Sequence, residues 1–248
     1  MGLPRELYLA ACGRIAEAFV EDGFNYQPRQ QRMVKCESDL TLAIHFQSSS
    51  RNFLVNKNDE PGVRKRLSSS FLPCGELQAY GNVTLITHAA GDSKTLALWR
   101  SKQPHLSGAK GRIAGGQIGN LQEKHKWIRY NLANPHTRVH RIELAIVLIR
   151  SVGLPYLYAF RDPAKMIDRL IGGQLQGFWE SGALEYVVCF GSTDQARKLL
   201  ESLLREFPEQ REEYRDSLER YRKSGVTHVE ESRRAPRIAR AAIALGLD

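Results

Sequence analysis

The chain has 248 residues, of which 42% are hydrophobic and 25% charged, with a formal net charge of +9. That is ordinary globular composition, long enough for one substantial core or for a domain with a helical appendage. No apolar run approaches the roughly 20 residues of a membrane span, so no membrane association is expected. Acidic Glu6 and Glu17 interrupt the opening MGLPRELYLAACGRIAEAF in a way a secretory leader does not tolerate. The protein is therefore read as cytoplasmic. No pair among Cys12, Cys36, Cys74 and Cys189 has C-x-x-C spacing, which points to free thiols rather than a disulfide framework or a zinc site.

In chain order, residues 4 to 21 read as a helix. Pro4 stands in its first turn, Leu7, Ala11, Ile15, Ala18 and Phe19 form an apolar stripe, and Gly23 ends it. Two extended runs follow, Asn25 to Cys36 and Leu40 to Gln47, joined by the turn Glu37-Ser38-Asp39. In the second, Leu40, Leu42, Ile44 and Phe46 alternate with Thr41, Ala43, His45 and Gln47, the period of a half-buried strand. Residues 48 to 75 read as loop. A second hairpin is expected, with Asn82 to Ala90 and Lys94 to Arg100 flanking Gly91-Asp92-Ser93. Residues 102 to 116 read as a basic glycine loop, and 117 to 132 as a helix.

Asn134 and Pro135 then open a helix to about residue 152. It is apolar nearly all round and so is expected to be the buried central helix. Pro163 opens another helix to Gly177, and Glu185 to Phe190 reads as a short β-type run. Ser192-x-x-Gln195 has the form of a capping box and starts a helix over 193–206. Pro208 and Pro236 open two further helices. The resulting expectation is an α+β fold: a mostly antiparallel sheet flanked by helices in a core domain, residues 1–191, with a helical C-terminal region, residues 192–248, packed on it.

The charge is localised. Between Lys94 and Arg150 eleven basic residues face only Glu123 and Glu143, while the rest of the chain holds equal numbers of each sign. A locally basic surface attracts polyanions. Within it, GAKGRIAGGQIGN combines glycines that let a backbone approach an anion with the cations Lys110 and Arg112. It is neither G-x-x-x-x-G-K-[ST] nor G-x-G-x-x-G, so no nucleotide enzyme is inferred. Lys102, Lys110, Arg112, Lys124, Lys126 and Arg129 are the candidate phosphate contacts. Trp99 and Trp127 are candidate stacking platforms, with core packing as the plain alternative for each.

The N-terminal pattern carries a resemblance. A helix ends in Gly23-Phe24, and a hairpin follows whose second strand runs into HFQSSSRN, residues 45 to 52. Over about residues 5 to 55 this resembles the uncharacterised bacterial family catalogued as domain of unknown function 4304. The resemblance implies a bacterial α+β domain and no particular activity.

Other stretches have weaker chemistry. His136, His140, Glu143 and Arg150 share one helix face, yet the H-E-x-x-H pattern of a zinc site is missing. Glu37, Asp39, His45 and Gln47 are the residue types of a metal nuclease, but the alternation puts Asp39, His45 and Gln47 on the solvent side of a hairpin. Ser48, Ser49 and Ser50 lack a nucleophile context. REEYRDSLERYRKSG, residues 211 to 225, reads as a solvated helix face with a Glu219–Lys223 pair, or as a surface for a protein partner. ESRRAPRIAR, residues 231 to 240, carries four arginines.

The function read from these features is a non-enzymatic protein, without cofactor or metal, that contacts nucleic acid through its basic glycine-containing region, as a subunit of a larger complex. Two alternatives stay open: an interaction or immunity-type accessory module that binds an acidic protein partner, and a metal-dependent hydrolase.

Overall fold

The computed structural model describes residues 3–49, 52–54, 80–103, 111–122, 125–225 and 233–248. Helix α1 (Pro4–Glu17) buries Tyr8, Cys12 and Ile15, and the turn that follows reverses at Gly23, whose φ is +85°. The expected single run to Cys36 is a hairpin instead: β1 (Asn25–Gln27) pairs antiparallel with β2 (Arg32–Cys36), Asn25 opposite Val34. Pro28 has no N–H to give a ladder, so the chain turns through Pro28–Gln30 and a left-handed Gln31, φ 49°. Strand β3 (Leu40–Ser48) follows with the predicted buried face, Leu40, Leu42, Ile44 and Phe46, and with Gln47 exposed; Ala43, expected on the solvent side, is buried as well.

Strands β4 (Phe53–Leu54) and β5 (Gly81–Asn82) form a small antiparallel pair. Strand β6 (Thr84–Ser93) is next, and here the predicted second hairpin fails. The strand runs through Gly91-Asp92-Ser93, and Lys94–Ser101 is helix α2. Two contacts explain this. The Ser93 hydroxyl accepts the Leu96 N–H at 3.0 Å, an N-cap rather than a turn. A Cβ on Gly91 would stand 2.5 Å from the Phe160 ring, so this glycine serves a close approach rather than a reversal.

The expected glycine loop is in part a strand, β7 (Arg112–Gln117); Lys110 lies outside the described residues. The helix expected over 117–132 is also absent. Ile118–Leu121 is one 3₁₀ turn, His125–Arg129 is irregular, and Tyr130–Asn131 is strand β8, paired antiparallel with β6. The main sheet has the order β1-β2-β3-β6-β7, with β8 beside β6. The fold is α+β, with an antiparallel sheet and a helical C-terminal region.

Helix α3 (Pro135–Leu148) begins as expected, with Asn134 accepting the His136 N–H at 2.9 Å. It is not buried all round. Ile142 and Ala145 are buried and α1 packs against α3, but Val139, Leu144 and Val147 are exposed. The helical path continues through one π turn, Ile149–Gly153, and α4 (Leu154–Tyr158). Pro135–Arg161 is a 27-residue helical path whose most apolar 18-residue window has a mean hydropathy of 1.5, long and apolar enough to cross a membrane by length and composition. Core helices pass the same test; a third of that window is buried, and Arg138, Arg141, Glu143 and Arg150 lie along the path.

Helix α5 (Pro163–Ile171) is capped by Asp162 and stops at Gly172-Gly173, earlier than expected. The β-type run at Glu185–Phe190 is the second half of helix α6 (Glu180–Phe190). A short apolar run does not reveal its own period; Ala183, Leu184 and Val187 are buried at helical spacing. Helix α7 (Thr193–Glu206) has the predicted capping box of Ser192 and Gln195. Helix α8 (Arg211–Ser224) ends before Gly225 and carries the predicted Glu219–Lys223 pair at 3.9 Å. It packs on α9 (Arg234–Ala244), which in turn packs on α6.

The chain divides into two compact units, each built from three stretches. The first takes Met1–Lys35, Ala43–Ala89 and Gln117–Pro155; the second takes Cys36–Leu42, Ala90–Gly116 and Tyr156–Asp248.

In the second unit Asp39 reaches the start of α2. Its carboxylate accepts the Ser93 hydroxyl at 2.7 Å and the Thr95 N–H and hydroxyl at 2.8 Å each. Partial burial pushes this carboxyl up, but the hydrogen bonds from Ser93 and Thr95, with the charge of Lys94, outweigh it and hold the group below its ordinary value. Its contribution to stability is complete above the ordinary carboxylate range and is lost as the pH falls through the lowered folded value. Asp39→Asn should cost about 1 kcal/mol in urea unfolding at neutral pH, and the gap from the parent should close below about pH 4. A gap that stays constant on acidification would show that the charge of Asp39 is not what fixes α2.

Candidate nucleic-acid interface

The predicted contact residues fall in both units. Trp99, Lys102 and Arg112 belong to the second; Lys126, Trp127 and Arg129 belong to the first; Lys110 and Lys124 lie outside the described residues.

Much of the basic region's charge is committed to the fold. Arg100 donates to Glu185 at 2.6 Å and to the Arg112 carbonyl at 2.7 Å, and both side chains of that ion pair are about nine-tenths buried. Burial pushes the Glu185 carboxyl up, against the pull of Arg100 and Arg240. Arg112 itself lies 2.9 Å from Asp92. Lys94 donates to the Ser38 carbonyl, Arg138 to the carbonyls of Leu132 and Ala133, and Arg150 to that of Ala18. The side chains of Lys102, Lys126 and Arg129 are exposed and make no ion pair among the described residues.

The C-terminal arginines are spent as well. Arg233 pairs with Glu213, while Arg234 and Arg237 both reach Glu180, at 2.9 and 2.6 Å. Arg234 lies 3.3 Å above the Phe207 ring.

Lys126 and Arg129, in the first unit, flank Trp127 on the segment His125-Lys126-Trp127-Ile128-Arg129. Trp127 is 51% exposed, where a tryptophan ordinarily buries most of its surface. The Arg129 guanidinium lies 5.8 Å from its ring centroid. His88 meets the ring edge-on at 6.4 Å, and burial holds that imidazole below its ordinary value, so it is a neutral ring at pH 7.

The segment is held open by its own neighbours. Buried Gln117 donates to the Ile128 carbonyl at 2.8 Å and accepts the Asn120 N–H at 3.1 Å, which shapes the 3₁₀ turn. The Lys126 N–H donates to the Gly119 carbonyl, and the His125 ring meets the Asn120 carbonyl. Gly119 is required there, since a Cβ would lie 2.1 Å from the Lys126 carbonyl oxygen. These contacts occupy the groups that a continuous helix from 117 would have needed.

The other chemical readings separate. His136, His140 and Glu143 are exposed on α3, and no group of three or more His, Cys, Asp or Glu among the described residues is placed to hold a metal ion. Asp39 is taken by the Ser93 hydroxyl and by Thr95 at the start of α2. Cys12, Cys36 and Cys189 are free thiols; Cys74 lies outside the described residues. Sequence reasoning had missed the ion-pair partners Asp92 and Glu185, which stand outside any local charge pattern.

Gly119→Ala should cost about 1–3 kcal/mol and shift the amide resonances of Lys126 to Arg129, since backbone must move to admit the methyl. Gly182→Ala, where a Cβ meets open space, should leave stability unchanged or raise it. Equal behaviour of the two variants would show that the segment does not depend on the Gly119 approach. Compared with known proteins, the chain matches no family model, no curated protein sequence and no solved structure.

Proposed function

We propose that the protein contacts nucleic acid, and that it does so as single strands through the segment His125–Arg129. The observation that carries this reading is the half-exposed Trp127 between the unpaired cations Lys126 and Arg129. An exposed indole offers a π face to any base, and flanking cations meet the phosphates on either side. An irregular, uncovered backbone suits an unpaired strand better than a groove-filling helix would. The pairing of Arg100, Arg112, Arg138 and Arg150 within the fold narrows the contact from the whole basic region to this segment, with Lys102 as a separate free cation in the second unit.

Fluorescence anisotropy with labelled oligothymidylate, oligouridylate and a duplex over a salt series tests it. Single strands should bind with log K falling linearly against log salt. Lys126→Gln and Arg129→Gln should each flatten that slope by about 0.7. Trp127→Ala should cost about 1–3 kcal/mol of affinity while leaving the slope nearly unchanged. A Lys126, Trp127, Arg129 triple variant that binds like the parent would overturn the reading, and so would no binding at low salt.

A further inference from the structure

Helix α3 turns its arginines onto the fold and part of its apolar surface to water. Arg138 donates to the carbonyls of Leu132 and Ala133, Arg150 donates to that of Ala18, and Arg141 is half-buried. Val139 is 44% exposed, Leu144 39% and Val147 60%. Single apolar residues at a surface are ordinary, but several gathered on one helix mark a contact surface.

The polar residues of this face narrow the choice of contact. His136, His140, Glu143 and Val147 stand at i, i+4, i+7 and i+11, the spacing of a seam between two paired helices, with Val139 and Leu144 on its two flanks. The His136 ring already meets Tyr80 edge-on at 6.1 Å. His140 and Glu143 are exposed and make no hydrogen bond or ion pair among the described residues, not even with each other. The seam therefore carries one open donor and one open acceptor.

We propose that this face pairs with a second copy of itself, α3 antiparallel to α3 about a twofold axis between Arg141 and Ile142. That register sets His140 of each copy level with Glu143 of the other, and the symmetry makes the contact twice. Val147 stands level with His136, and Val139 and Leu144 close the flanks. A parallel pairing would instead set Glu143 against Glu143, which is repulsive. A bilayer would have to take in the Glu143 carboxylate without a partner, at high cost; the second copy supplies the partner. One helix pair is small beside the roughly 1,200–2,000 Å² of a standard interface, so the dimer dissociates at about micromolar concentration.

Sedimentation equilibrium of the full chain, without nucleic acid and over about a hundredfold range of concentration, tests this. The average mass should rise from one chain toward two. Glu143→Lys and His140→Glu should each weaken association about tenfold or more, because each sets like charges level. The exchange of His140→Glu together with Glu143→His should restore association to within about threefold of the parent, which an unselective apolar patch would not do. Leu144→Lys should leave the chain monomeric. All three positions are exposed, so Tm and helix content should stay those of the parent. A parent that remains monomeric, or an exchange that fails to restore association, would overturn the proposal. So would a monomeric parent that sediments with phosphatidylglycerol vesicles and loses that binding in Leu144→Lys, since the face would then belong to a bilayer.

Discussion

The Asp39 carboxylate decides how the second unit is wired. It stands in the turn between β2 and β3, fifty-six residues before the Thr95 group it meets. By taking the Ser93 hydroxyl and the Thr95 N–H it converts the end of β6 into the start of α2. A reversal at Gly91-Asp92-Ser93 would have continued the sheet. The cap instead sends the chain into a helix, whose last turn carries Arg100 to the buried Glu185. Removing one partner of such a pair strands the other charge, at a cost of about 3–5 kcal/mol. The Asp39 contacts and the ion pair therefore fix α2 at both ends.

Charge in this protein is more abundant than it is available. The excess between Lys94 and Arg150 is a property of the sequence, but a cation hydrogen-bonded to a carboxylate or a carbonyl attracts a phosphate poorly. Arg100 and Arg112 answer acids from elsewhere in the second unit, and Arg138 and Arg150 tie down carbonyls in the first. Lys126 and Arg129 differ because their segment leaves the 3₁₀ turn at Gly119 with its side chains outward. The glycines do similar work: Gly91, Gly111 and Gly119 each stand where another group comes too close for a Cβ. The concentration of glycine beside charge thus serves close packing as much as ligand approach.

Local signals did well where both the start and the period of an element were written in consecutive residues. The Ser192–Gln195 box fixed α7 to the residue, Asn134-Pro135 fixed the start of α3, and the alternation of Leu40 to Phe46 fixed the buried face of β3. The failures share one cause. Gly91-Asp92-Ser93, the run from Gln117 to Leu132 and the run from Glu185 to Phe190 all have local patterns compatible with two structures. Contacts beyond the neighbouring residues meet each: Asp39 and Phe160 at the first, Gln117 with Ile128 and Gly119 with Lys126 inside the second, and Arg100 on Glu185 in the third.

Sequence alone determined the α+β class, the C-terminal helices with the Ser192 cap, the free thiols of Cys12, Cys36 and Cys189 and the concentration of positive charge, because propensity, capping and composition act over a few residues. Tertiary structure decided which cations of the basic region remain free, that Trp127 is half-exposed, and that one face of α3 meets solvent. Those properties depend on which distant groups meet, and hydrogen bonds between residues such as Arg100 and Glu185, eighty-five positions apart, leave no trace in local order.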